Sequence, residues 1–170
     1  MRRETNVTGQ IQTAQTNQIR EAIDSDSDNI VVLINAAFRV ESFFIDGDRT
    51  DCDKVSAMLK SGKFLLIENG AKLVGCVYVE LRCESGYFGL LSVDPSCRGL
   101  GIGRKLVVAA ENYFGESGCR TSDMLMVNLR EELLPFYRKL GYDVSGTAPF
   151  PPDVITNIPC HFITMSKKIV

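Results

Sequence analysis

The chain contains no tryptophan, a single histidine, and no apolar run near the ~18–20 residues that a membrane-spanning helix needs. Its six cysteines, Cys52, Cys76, Cys83, Cys97, Cys119 and Cys160, nowhere form C-x-x-C. With His161 as the one imidazole, this argues against a metal site. The net charge is −2, so there is no basic excess to serve a nucleic-acid surface. The opening MRRETNVTGQIQ has two arginines but no apolar segment behind them, so no secretory leader is expected. Several cysteines fall in apolar strand patterns and read as small buried residues, which suits a reducing cytoplasm. No repeat and no linker divides the 170 residues, and a flexible tail over 1–10 followed by one domain over 11–170 is expected.

What is present concentrates between Tyr87 and Phe114 (YFGLLSVDPSCRGLGIGRKLVVAAENYF). Tyr87–Val93 is apolar and partly β-branched, and Asp94-Pro95 ends it, so it reads as a strand. Ile102, Leu106, Ala109, Ala110 and Tyr113 then recur at helical spacing. Between the two lie Gly99, Gly101 and Gly103, each costing up to ~1 kcal/mol relative to alanine inside a helix. Their gain is bare backbone, which lets an anion approach several N–H groups at a helix N-terminus. Arg98, Arg104 and Lys105 surround the same loop. The reading from the residues is a diphosphate cradle, the alternative being a glycine-rich turn that packs a helix tightly on a sheet.

A phosphate loop of the Gly-Lys-Ser/Thr type is excluded, because Gly103 is followed by Arg104-Lys105-Leu106. A dinucleotide loop needs G-x-G-x-x-G, and this one is G-x-G-x-G with Cys119-Arg120 where a ribose-binding acid belongs. The spacing present is R-x-x-G-x-G, as Arg98, Gly101 and Gly103. Further on, Pro135-Phe136-Tyr137-Arg138-Lys139-Leu140-Gly141-Tyr142 supplies a second signature. In both, the chain resembles the GNAT acetyltransferase superfamily, over roughly residues 10–168.

The order of elements agrees with that resemblance. Ile11–Ala14 reads as a first strand and Asn17–Ile23 as a short helix. The acidic turn 24–28 can cap a helix through Ile30, Leu33, Ile34, Ala37, Phe38 and Glu41. Asp51 or Asp53 caps the next helix, and Gly62 is expected at its C′ stop. Asn69-Gly70 joins Phe64–Glu68 to Lys72–Leu81 as a hairpin, and Tyr87–Val93 follows. Asp123–Asn128 returns beside Tyr87–Val93, parallel because a helix intervenes. A short helix from Leu133 to Leu140, a strand Tyr142–Ser145, a proline-rich loop 147–159 and a last strand Cys160–Ser166 complete the chain. The expected fold class is a mixed α/β fold of the GNAT type: a mostly antiparallel central sheet, helices on both faces, and one parallel pair splayed to bind CoA.

The resemblance implies acetyl-CoA as cosubstrate, no metal, and an amine as acceptor. A small molecule is favoured over a protein, and a homodimer is compatible. It implies that Leu91, Ser92 and Val93 line the pantetheine arm, with a backbone N–H near Leu91 acting on the thioester carbonyl. Arg98, Gly99, Gly101, Ile102, Gly103 and Arg104 would hold the pyrophosphate, and Asn128 would contact CoA or else cap a strand. Tyr137 takes the family's general-acid position, its alternative being simple packing against Phe136. No carboxylate lies on the central strand near Tyr87, which leaves Glu41, Glu80 and Glu84 as candidate bases, each with the alternative of a solvated charge, and a water chain or an already neutral amine would serve equally well. His161 is read as a hydrogen-bonded strand residue with a possible reach to an acceptor pocket. The expected function is transfer of acetyl to an amine by direct attack on the thioester. The competing readings are a non-catalytic acyl-CoA-binding module or sensor and, third, a nucleotide-binding protein.

Overall fold

The computed structural model describes residues 18–169. The expected strand Ile11–Ala14 lies outside them. Seven strands form one sheet: β1 (Ile19–Glu21), β2 (Lys63–Asn69), β3 (Lys72–Arg82), β4 (Ser85–Val93), β5 (Thr121–Val127), β6 (Asp143–Pro149) and β7 (His161–Lys168). Their spatial order is β1-β2-β3-β4-β5-β7-β6, and among the described residues the pair β4–β5 alone is parallel. Four helices cover the sheet: α1 (Ser27–Phe38), α2 (Cys52–Ser61), α3 (Ile102–Glu116) and α4 (Leu134–Lys139). This is the mixed α/β fold expected from the sequence.

The sheet divides the apolar interior in two. On one face α1 and α2 bury Ile30, Leu33, Ile34 and Val55 against Phe64, Leu66 and Tyr78, with Tyr87 and Leu90 at the margin. On the other, α3 and α4 bury Ile102, Leu106, Ala110, Phe114 and Tyr137 against Val77, Val79, Phe88 and Met124, with Leu91 and Val93 at the margin. Alternate residues of a strand point to opposite faces, so β4 serves both layers. Its helical partner α3 starts from Gly101 and lies close enough that a Cβ on Gly86 would meet the Phe114 ring at 2.1 Å.

The structure departs from the expected elements in three places. Residues 19–21 form an edge strand rather than a helix, because pairing with β2 lets Arg20 bridge Asp26 at 2.8 Å and Glu68 at 2.6 Å. The carboxylate of Asp26 is thereby drawn back to Arg20 and the Ile23 amide instead of capping α1. Gly62 ends α2, but at φ −155 rather than in a left-handed turn. The reason for glycine there is space, since a Cβ would lie 2.3 Å from the Val79 carbonyl oxygen. Finally, β6 runs on to Pro149 inside the expected loop. An edge strand tolerates proline where its missing N–H faces outward.

Candidate active site

The cavity begins where β4 and β5 part. Their parallel pairing runs from Ser85↔Thr121 to Phe88↔Met124 and stops. Beyond it β4 stays with β3 as far as Val93, and β5 stays with β7 as far as Val127. A bulge drives the divergence: Leu90 and Leu91 together oppose Val77, and Leu90 adopts φ +49. Such a conformation is costly for a non-glycine residue and collects at functional sites. From Gly89 to Val93, β4 has no strand partner on its β5 side among the described residues. A cavity of about 730 Å³ fills the opening.

At the C-terminal end of β4 the chain enters the glycine loop. Asp94 sets the turn, accepting from the Ser96 amide at 2.8 Å and pairing with Lys72 at 2.7 Å. Gly99 and Gly101 take φ +80 and +77, and no atom lies within 4 Å of where a Cβ would stand on either. The left-handed turns thus expose bare backbone at the N-terminus of the 15-residue helix α3, where its dipole favours an anion. Arg98 and Arg104 join the cavity wall here, and Arg98 also donates to the Ala37 carbonyl oxygen at 3.4 Å.

Tyr137 lies against the other side of the opening. It is 6 % exposed and sits among Phe136, Phe88 and Tyr142, with ring centroids 5.0–6.3 Å away. Burial pushes its phenol well above the ordinary value, while the Arg130 charge acts in the opposite sense. Behind it, Tyr142 is tied to Ser122 at 2.7 Å and to Glu111 at 2.9 Å, and Lys167 closes on Glu111. That buried network fixes the ring against which Tyr137 packs.

On the α1 face, Glu41 closes a 3-10 turn after α1 and is 6 % exposed. It accepts from Arg130 at 3.1 Å, and Arg130 also pairs with Glu132. Burial raises the Glu41 carboxyl, with Arg49 and Arg130 pulling it down in part. Tyr87, Arg49, Phe38 and Val40 line the same side. The segment after β6 leans over it: Phe150 stacks on Phe162 at 4.2 Å, and Asn157 donates its amide to the Phe44 carbonyl at 2.8 Å.

The structure brings Leu91, Val93, Arg98, Gly99, Gly101, Ile102, Gly103, Arg104 and Tyr137 together around one cavity. Ser92 and Asn128 stand apart. Ser92 is 1 % exposed and donates to the Leu90 carbonyl at 2.9 Å. Asn128 accepts from the His161 amide at 2.9 Å, continuing the β5–β7 ladder past its last pair. Of the three candidate bases Glu41 reaches the cavity, whereas Glu80 is drawn to Arg82 and Tyr78, and Glu84 stays exposed in a turn. His161 is exposed at the start of β7, outside the cavity wall. Arg49, Arg130 and Tyr87 are site residues the sequence did not single out. No local pattern marks them, since they arrive from a loop, the turn after β5 and the part of β4 before its bulge. Among the described residues no group of three His, Cys, Asp or Glu side chains is placed to hold a metal, and no helix is long and apolar enough to cross a membrane.

Comparison with known proteins bears on this geometry. The family model described as an acetyltransferase (GNAT) domain matches residues 60–144. A search of curated proteins finds no significant match. Among solved structures, the ribosomal-protein-S18-alanine N-acetyltransferase of Escherichia coli aligns with a TM-score of 0.71 at 13 % identity, covering 91 % of this chain and 94 % of its own. An N-acetyltransferase of Staphylococcus aureus Mu50 gives 0.71 at 17 %, covering 90 % and 98 %. The protein yncA of Salmonella typhimurium, solved with its cofactor acetyl-CoA, gives 0.70 at 17 %, covering 90 % and 94 %.

Proposed function

This chain belongs to the GNAT acetyltransferase family, and we propose that it is an acetyl-CoA-dependent N-acetyltransferase acting on a small amine. One observation carries the reading. The split between β4 and β5 joins a glycine-lined helix N-terminus to a buried phenol through a single cavity.

The residues present suit acetyl-CoA in shape and polarity. The left-handed glycines, Arg98 and Arg104 would hold the pyrophosphate, as amides and cations hold anions elsewhere. The unpaired edge of β4 from Gly89 to Val93 would pair with the amides of the pantetheine arm as a missing strand does. Bound there, acetyl-CoA supplies an acyl group activated as a thioester.

The chain does the rest. A backbone N–H near Leu91 donates to the carbonyl oxygen as charge develops on it. Glu41, whose carboxyl is raised by burial, takes a proton from the acceptor ammonium. The free amine nitrogen forms the C–N bond while the C–S bond breaks, and the electron pair of that bond leaves with sulfur. Tyr137, held neutral by burial, gives the sulfur its proton. The proton shed by the new amide passes to solvent and Tyr137 is reprotonated.

The direct test mixes the purified protein with acetyl-CoA and a panel of primary amines. The expected result is stoichiometric release of free thiol together with an acetylated amine identified by mass. Acetyl-CoA binding with no amine consumed across the panel would instead favour the non-catalytic acyl-CoA-binding reading.

A further inference from the structure

Among the described residues, one guanidinium in the cavity wall, that of Arg49, has a buried nitrogen with no partner, whereas Arg104, also without an ion pair, lies beside the glycine loop. Arg49 lies near the end of the loop between the 3-10 turn at Glu41 and α2. Its neighbour Thr50 is 4 % exposed and fixed by two hydrogen bonds of 3.0 Å to the Asn35 side chain, so the loop is held firmly at this point. The Arg49 Nε is shielded from solvent and has no hydrogen-bond partner among the described residues. The guanidinium carbon sits 5.2 Å from the centre of the Phe38 ring. No carboxylate pairs with it among the described residues. By contrast, Arg20 lies between Asp26 and Glu68, and Arg130 between Glu41 and Glu132.

Arg98, which reaches the Ala37 carbonyl beside Phe38, and Arg104 stand nearer the glycine loop, and Arg49 faces the residues beyond them. The Arg49 charge acts on Glu41 and on Tyr87. Tyr87 stands six residues before Val93, the last residue of β4 before the glycine loop. Arg49 therefore serves the acceptor end of the cavity.

We propose that the acceptor is an amine that carries a carboxylate, an amino-acid-type substrate whose carboxylate is held by Arg49. The inference rests on the transferase reading of this cavity. A planar carboxylate matches the guanidinium fork and takes two parallel hydrogen bonds from it. Charge suits a zwitterion: beside Glu41, Arg49 and Arg130 are offset by Glu41 and Glu132, while Arg98 and Arg104 lie with the glycine loop, so this part of the wall carries no net charge. Phe38, beneath the guanidinium, holds it flat for one orientation of the ligand.

The experiment follows thiol release from acetyl-CoA with the twenty L-amino acids, each beside its carboxamide, and with neutral amines and a polyamine. The expected result is a preference of about tenfold or more for the carboxylate forms, expressed in KM more than in kcat. Arg49→Gln should erase the preference, Arg49→Lys should restore part of it, and both should bind acetyl-CoA as the parent does, which also reports that they fold. A second arm titrates the CoA-loaded protein calorimetrically with the N-acetylated amino acids and their amides. Binding that needs both the carboxylate and Arg49 supports the proposal even where turnover is slow. Equal use of acids and amides, an unchanged preference in Arg49→Gln, or no Arg49-dependent binding in the calorimetric arm overturns it. Acetylation of neutral amines alone would overturn the proposal and leave the transferase reading intact, whereas failure to bind acetyl-CoA would sink that reading itself.

Discussion

A phenol packed among three aromatic rings keeps its proton at neutral pH, and Tyr137 is such a phenol. Removing its hydroxyl leaves the packing and takes away the proton. Tyr137→Phe is expected to lower kcat by about 10²–10³-fold, within the usual span for a general acid, with acetyl-CoA affinity nearly unchanged. Steady-state kinetics beside a binding titration checks this, and unchanged kcat would return Tyr137 to a packing role. The same scale shows what a sequence can disclose. Gly99 and Gly101 were legible because left-handed turns call for glycine at fixed spacing, whereas Tyr137 was singled out by the resemblance of its motif alone. Glu41 was visible as one acid among three, and burial at the end of α1 distinguishes it. Arg49 and Arg130 were not legible. Their roles arise from a cavity assembled from segments eighty residues apart, and a lone arginine in a polar loop carries no pattern.

At the scale of elements, the site depends on how β4 ends. Asp94 terminates the strand, turns the chain into the glycine loop and ties it to β3 through Lys72. The hydrogen bond from Lys72, then those from Ser96, hold its carboxyl down at about 2 against an ordinary 3.8. Between those values the unfolded chain binds the proton more readily, so stability rises with pH across the window. The contribution is full above pH 3.8 and is lost as pH falls towards 2. Asp94→Ala is therefore expected to cost about 1 kcal/mol, the usual cost of a lost cap, or about 2–4 °C in Tm, near neutrality. The difference from the parent should shrink as the pH falls from 4 to 2, and melting curves across that range test it. A difference that persisted at pH 2 would remove the charge from the explanation.

The elements themselves were legible to unequal degrees. The Asn69-Gly70 hairpin, helix α3 and the crossover to β5 follow from turn chemistry and period, and all three stand where expected. Residues 19–21 were misread because three residues hold too little pattern, and pairing with β2 decides their state. The bulge at Leu90 carried no signal, as neither neighbouring leucine prefers a positive φ. Its cause lies in the mismatch of β4 with β3, which is a property of the assembled sheet.

Across the whole molecule, the two apolar layers meet only along the sheet, and the parting of β4 and β5 cuts through it. The cavity accordingly takes its wall from both layers, the glycines and Tyr137 from one face and Glu41, Arg49 and Tyr87 from the other. Two ligands could enter from opposite faces and meet at the gap, which is the arrangement that direct transfer requires. The overall order of strands and helices was readable from the chain, while the depth of the cavity and the chemistry of its acceptor end required the folded structure.

The central claim is that the glycine loop and the split strands form an acetyl-CoA site. The measurement that tests it most directly is calorimetric titration of the protein with acetyl-CoA and CoA, beside ATP and NAD, repeated on Gly101→Val. That substitution puts a branched side chain at φ +77, where the open backbone faces the cavity. The account predicts saturable binding of the CoA species at one site, little binding of ATP or NAD, and loss of affinity in Gly101→Val. Equal binding of ATP, no binding of acetyl-CoA, or undiminished affinity in the variant would contradict it.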